Sequence, residues 1–266
     1  MSFWRNFRYP ILETLAILVI FLAISQINFS WSAWESEICR LRNCYCEPFQ
    51  DGGLFLQPLT ALSNLGYILA GLFILQSSNQ QTVPSDVIQN SSQFKPVFQR
   101  VFGAAVLLAG LFSTFSHASL TRIGEWFDLM GVYGALGFTV WYALIRLMSA
   151  SLKVFAWGYL LTLAILGFLM ATNPHLQQVW IGILLVISTI CELTFRSLKR
   201  PFMDNRYLIG ALVCFISGGV IWMGFGRAPD CPPGVSFPWH VLWHLLSAAA
   251  LGLLFPYYLS EYRKTE

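Results

Sequence analysis

The chain has 266 residues and a formal net charge of +3, with 56% hydrophobic and only 11% charged residues. A soluble domain is usually about 25% charged, and one core in a chain this short cannot hide so much apolar surface, whereas a bilayer can face it. The small, scattered positive charge argues against a nucleic-acid partner, and no Gly-rich phosphate loop or solenoid repeat is present.

A window of about 20 residues, the length that crosses hydrocarbon, predicts eight spans. They lie near 10–29, 57–77, 98–118, 126–147, 154–172, 176–195, 208–226 and 239–259. The fold is therefore expected to be all-α, an integral-membrane helical bundle with a seven-span core (31–266) and an additional N-terminal span (within 1–30). Arg5 and Arg8 before an apolar run, with "SWSA" after it, also fit a secretory signal. Without an A-x-A site the segment reads as a retained anchor.

Lys and Arg set the expected sidedness. With the N-terminus in the cytoplasm, only Arg40, Arg42, Arg122 and Arg227 fall on outer segments, and the other twelve basic residues fall on inner ones. Both termini are then cytoplasmic. Cys39, Cys44, Cys46 and Cys231 come to the outer side, where disulfides persist. Four cysteines permit three pairings; Cys46–Cys231, which joins the first outer loop to the last, ranks first. Cys191 and Cys214 lie within spans and are expected to be reduced.

Ionisable side chains inside spans usually have a partner or a task. The inferred topology brings His117, Asp128, His240 and His244 to one depth near the outer face. His240 and His244 are i,i+4 and share a helix face, as do Ser113 and His117. Three imidazoles plus an open position is the usual composition of a catalytic zinc site. Asp128 could then accept a proton from water, and Ser113 could donate to a developing oxyanion. His175 reads as an exposed loop residue and Glu125 as solvated or near the headgroups, while Glu192 is expected to meet Arg196 one turn on.

The pattern Ser113-x3-His117-x10-Asp128, with His240-x3-His244 on the last helix, resembles the alkaline ceramidase family. That family belongs to a group of seven-span metal hydrolases that includes progestin/adipoQ-type receptors. The resemblance also takes in Cys46-Glu47 and "LSNLGY" with Ser63 and Asn64, and runs from about Cys44 to the C-terminus. It implies zinc on His117, His240 and His244, Ser113 and Asp128 beside the water, and hydrolysis of the amide of ceramide, with the site towards the outer or lumenal face. Another N-acyl or ester lipid could enter the same site. The family's calcium site uses an acidic segment and a later glutamate; here only Glu47 matches, and Gln57 stands at the later position. Calcium prefers six to eight oxygens, so a calcium site of that kind is not expected, and the cysteines are left the structural role. The aromatic residues Phe112, Phe115, Trp126, Trp239 and Trp243 are candidates for an acyl tunnel or for interfacial anchors. The expected partners are the membrane and a lipid substrate, and no protein partner is implied. The alternatives are a receptor-like or structural metal protein of the same group, and a haem-binding membrane protein.

Overall fold

Apolar runs of this length cannot leave backbone N–H and C=O groups unpaired in hydrocarbon, so they close on themselves as helices. The computed structural model describes residues 2–37, 44–79, 94–224 and 238–261, and among these it contains helices and two isolated β-bridges but no strand. In chain order the helices are α1 (Ser2–Ile24), α2 (Pro58–Ser63), α3 (Leu65–Asn79), α4 (Pro96–Ser119), α5 (Arg122–Met148), α6 (Leu152–Thr172), α7 (Gln177–Lys199), α8 (Asn205–Gly224) and α9 (His240–Leu259).

Among the described residues, seven stretches are long and apolar enough to cross a membrane: Pro58–Ser78, which joins α2 to α3, Pro174–Lys199, which contains α7, and the helices α4, α5, α6, α8 and α9. This is a multi-pass membrane bundle. Their ends agree with the seven later predicted spans to within four residues. The N-terminal segment is a different case. It is helical and apolar, and its helix starts and stops earlier than the expected 10–29, but it is not among the seven. α1 lies along α3 in the opposite direction: Gln76 donates to Glu13 at 2.7 Å, and Phe21 meets Phe55, just before α2, at 5.7 Å.

Large apolar side chains on α6 to α8 face outward, with Trp157 75% and Met223 68% exposed, the inverse of a soluble surface and the expected lipid face. Inside, α4 is gripped from two sides where neighbouring helices lack a side chain. A Cβ on Gly71 of α3 would stand 2.6 Å from the Leu107 backbone nitrogen, and one on Gly131 of α5 would stand 2.7 Å from the Ala109 Cα. Neither position admits a larger residue.

Near the C-terminal ends of α5 and α9, Arg146 is buried. It donates to Glu192 of α7 and, at 3.1 Å, to Glu261, and its guanidinium carbon lies 4.3 Å from the ring centres of Tyr142 and Phe195. Glu192 therefore does not pair with Arg196, as its i,i+4 spacing suggested. Its face of α7 turns inward to Arg146 and to the Tyr257 hydroxyl, 2.6 Å away, whereas Arg196 donates to Asn205 at 2.6 Å.

Candidate metal centre

The centre is built at the opposite end, where α4 stops. Leu120 takes a left-handed conformation (φ 45°), which ends the helix and leaves its last carbonyls without helical donors. Other segments supply those donors: Gln57 N–H to His117 O at 3.1 Å, Leu56 N–H to Ala118 O at 2.9 Å, and Glu37 N–H to Leu120 O at 3.1 Å. Capping α4 thus brings Gln57 and Glu37 to the residues that carry the site.

The Gln57 side chain completes the contact. Its Oε1 accepts from His117 Nδ1 at 3.0 Å, which places the proton on Nδ1 and leaves a lone pair on Nε2. His117 Nε2 is buried and has no hydrogen-bond partner. His244 is fixed in the same tautomer. Its Nδ1 lies 2.7 Å from Ser63 Oγ and 3.3 Å from Thr60 O, and the Ser63 hydroxyl itself donates to Thr60 O at 2.6 Å. Ser63 Oγ must then accept from Nδ1–H. His240, one turn before His244 on α9, has a buried Nδ1 without a hydrogen-bond partner and lies against the Tyr45 ring at 4.1 Å between centroids.

The three imidazoles converge. One ligand nitrogen from each of His117, His240 and His244 lies within 4.8 Å of the others, and all three residues are buried. Two buried nitrogens without a hydrogen-bond partner, on residues of such a cluster, fit a cation, and a set of three imidazoles suits zinc. The ring centroids are only 4.4–5.1 Å apart, a compact tripod with no room for a macrocycle between any two rings.

Ser113 stands one turn before His117 on α4 and lies close to Asp128 of α5. The structure therefore brings together three of the five residues of the sequence pattern as a tripod, while Ser113 and Asp128 lie near each other on α4 and α5. Tyr67 stands between these groups: its hydroxyl meets Ser247 at 2.5 Å, and its ring is 6.3 Å from that of His244.

Three further carboxylates were read differently from sequence. Glu47 caps α2 through Leu59 N–H at 2.6 Å and Thr60 N–H at 2.8 Å. With Gln57 engaged on His117, the two residues considered for calcium serve the protein's own hydrogen bonds. Glu125 is half-buried and lies near Gln177 rather than being simply solvated. Glu37 was not anticipated. It is 5% exposed, and burial, with Glu125 and Asp128 nearby, holds its carboxyl well above the ordinary range.

Three of the five aromatic candidates gather around Phe127. Phe112 and Phe115 both meet Phe127. Trp126 also meets Phe127, at 5.2 Å, and donates to Gly167 O at 3.1 Å, whereas Trp243 stacks on Trp222 of α8. Trp239 precedes the first turn of α9. His175 is exposed, as expected. Cys46 is disulfide-bonded, whereas Cys191 and Cys214 are free; Cys231, its expected partner, lies outside the described residues.

Sequence reasoning missed Tyr45, Tyr67 and the role of α2. Ser63 and Tyr67 repeat the i,i+4 spacing of Ser113/His117 and His240/His244, and that was the available signal. Tyr45, between two cysteines, offered none.

No protein-family model matches the chain, and no curated protein matches it significantly. Fold and site together define a class: a multi-pass helical membrane protein with a buried three-histidine cluster beside a serine–aspartate pair.

Proposed function

We propose that the protein is a zinc-dependent intramembrane amidase, related to the alkaline ceramidases. It would hydrolyse the N-acyl amide of ceramide or a similar lipid to a free fatty acid and an amine. The observation that carries this reading is the convergence of three buried imidazole nitrogens within 4.8 Å of one another inside a membrane bundle, with Ser113 one turn from His117 and close to Asp128. Lys and Arg sidedness puts this end at the outer or lumenal face and both termini in the cytoplasm.

His117, His240 and His244 would hold the zinc. When bound, it would supply a Lewis acid that polarises the amide carbonyl and acidifies a water. Asp128 is placed to take the proton of the attacking water and return it to the leaving amine. Ser113 is tied to that event. While Asp128 is ionised, the Ser113 hydroxyl donates to it. Once Asp128 carries a proton it can donate to Ser113 Oγ, and the serine hydrogen is free to turn to the negative charge developing on the carbonyl oxygen. The proton transfer thus arms the oxyanion donor.

The test is a hydrolysis screen of N-acyl and ester lipids on purified protein, with metal analysis and with a zinc chelator. Zinc near one per chain and chelator-sensitive amide cleavage are the expected results. Zinc without turnover on any lipid would favour a structural or receptor-like metal site, and no transition metal in active protein would end the proposal.

A further inference from the structure

Each imidazole of the tripod is positioned by a different residue, yet the positioning groups all come from one stretch, 45–63. Gln57 holds His117, Ser63 and Thr60 hold His244, and the Tyr45 ring lies on His240. Two parts of that stretch need support. α2 has six residues and no side-chain cap at Gln57, too short to be stable alone. Tyr45 and Cys46 both have positive φ (74° and 56°), a region that side chains other than glycine adopt only when their surroundings impose it.

Glu47 joins the two parts. It follows the Tyr45–Cys46 turn directly, it is buried, and both its oxygens are spent on α2: Oε1 accepts from Leu59 N–H, and Oε2 accepts from Thr60 N–H and from the Thr60 hydroxyl at 2.5 Å. A carboxylate is the favoured group at a helix N-terminus. We infer that Glu47 is a positioning residue of the metal centre, locking the Tyr45 turn to α2 and so setting all three imidazoles at once. This rests on the zinc reading above and deepens it. Glu47 itself touches none of the three histidines through any hydrogen bond in the described residues; it acts through Thr60, Ser63, Gln57 and Tyr45.

The experiment uses the full chain in detergent, and the probe is zinc alone. Affinity is read by competition with a chelator, and imidazole tautomers by 15N NMR of histidine-labelled, metal-free protein, in which each of the chain's four histidines gives one pair of ring-nitrogen signals. Glu47→Gln keeps the shape but turns an amide NH2 towards the α2 donors. It is expected to weaken zinc binding about 10–100-fold, the usual effect of losing an outer partner of a ligand. The His117 and His244 signals should leave the Nδ1–H tautomer, with His175 unmoved and helix content unchanged. Gln57→Leu should disturb the His117 signal alone. If Glu47→Gln does not fold, Thr60→Val carries the test, since it removes one of the three donors; weaker zinc binding and a moved His244 signal are then expected. A folded variant that binds zinc like the wild type, with all ring signals in place, overturns the inference. Failure of the wild type to bind zinc instead refutes the metal reading, and the ring signals of metal-free Glu47→Gln still decide whether Glu47 positions the histidines.

Discussion

Replacing Asp128 with asparagine separates proton transfer from metal binding. Asparagine keeps the size of the side chain and an oxygen for the Ser113 hydroxyl, but it cannot take a proton from water. The ligand atoms that converge within 4.8 Å come from the three histidines alone, so zinc should stay near its wild-type content. General acid–base catalysis contributes roughly 10²–10⁴-fold, about 2.7–5.4 kcal/mol of barrier at 1.36 kcal/mol per decade. Turnover should fall by that factor. Ser113→Ala should cost on the order of 10²-fold or more, the range for one oxyanion donor, again with zinc retained. The double variant should lose less than the product of the two factors, because the hydroxyl is released by the proton that Asp128 receives. The assay is turnover of the best N-acyl lipid alongside elemental analysis of the same sample. If Asp128→Asn emptied the site while Ser113→Ala kept full turnover, Asp128 would be a ligand or a ligand's support, and Ser113 a packing residue.

His240→Ala leaves two imidazoles and should lose bound zinc; the wild type should gain about 4 kcal/mol of stability at zinc concentrations 1,000 times its Kd, an increment the variant lacks in thermal melts. Arg146→Met strands Glu192 and Glu261, which are largely buried, and should destabilise the bundle by about 3–5 kcal/mol, with Glu192→Gln and Glu261→Gln together restoring much of it; a loss under about 1 kcal/mol in detergent unfolding would show the cluster to be solvated. Glu37 ionises at a higher pH folded than unfolded, so between those two values the unfolded chain holds fewer protons and stability falls as pH rises. Glu37→Gln should therefore match the wild type below about pH 4, be the more stable of the two as pH rises through neutrality, and show a flatter melting-temperature profile; parallel profiles would contradict the burial of an acid there.

Some of this was legible because its signal is local. A run of about 20 apolar residues declares a span wherever it lies, and i,i+4 spacing declares a shared face, so the spans and the Ser113/His117 and His240/His244 pairs could be read directly. Partners on other elements could not. Glu192 has a basic residue one turn away, but its partner Arg146 is 46 positions distant. The hydrogen bond from His117 to Gln57 spans 60 positions, and that from His244 to Ser63 spans 181. The segment before α2 has no period, so nothing in its order shows that it caps α4. Glu47 and Gln57 were weighed as calcium ligands because acid and amide oxygens are what sequence displays; the donors facing them are backbone and ring N–H groups that only folding brings near.

The same contacts bear on why the histidines are there at all. A buried polar atom with no partner costs about 1–3 kcal/mol, and the bundle contains hydroxyls that could have met it. Ser63 is spent on His244 Nδ1 and Ser247 on Tyr67. Neither is turned to His117 Nε2, which has no partner. Nor can His117 and His244 escape by exchanging tautomers, because Gln57 Oε1 and Thr60 O accept hydrogen bonds and would face a lone pair instead. Leucine in place of these residues would remove the penalty and fill the space. The fold instead fixes two rings by their outer nitrogens and lays a tyrosine on the third, so that the remaining lone pairs converge. A stability argument alone does not yield that arrangement. It is the arrangement expected if, as proposed, the three histidines hold a cation.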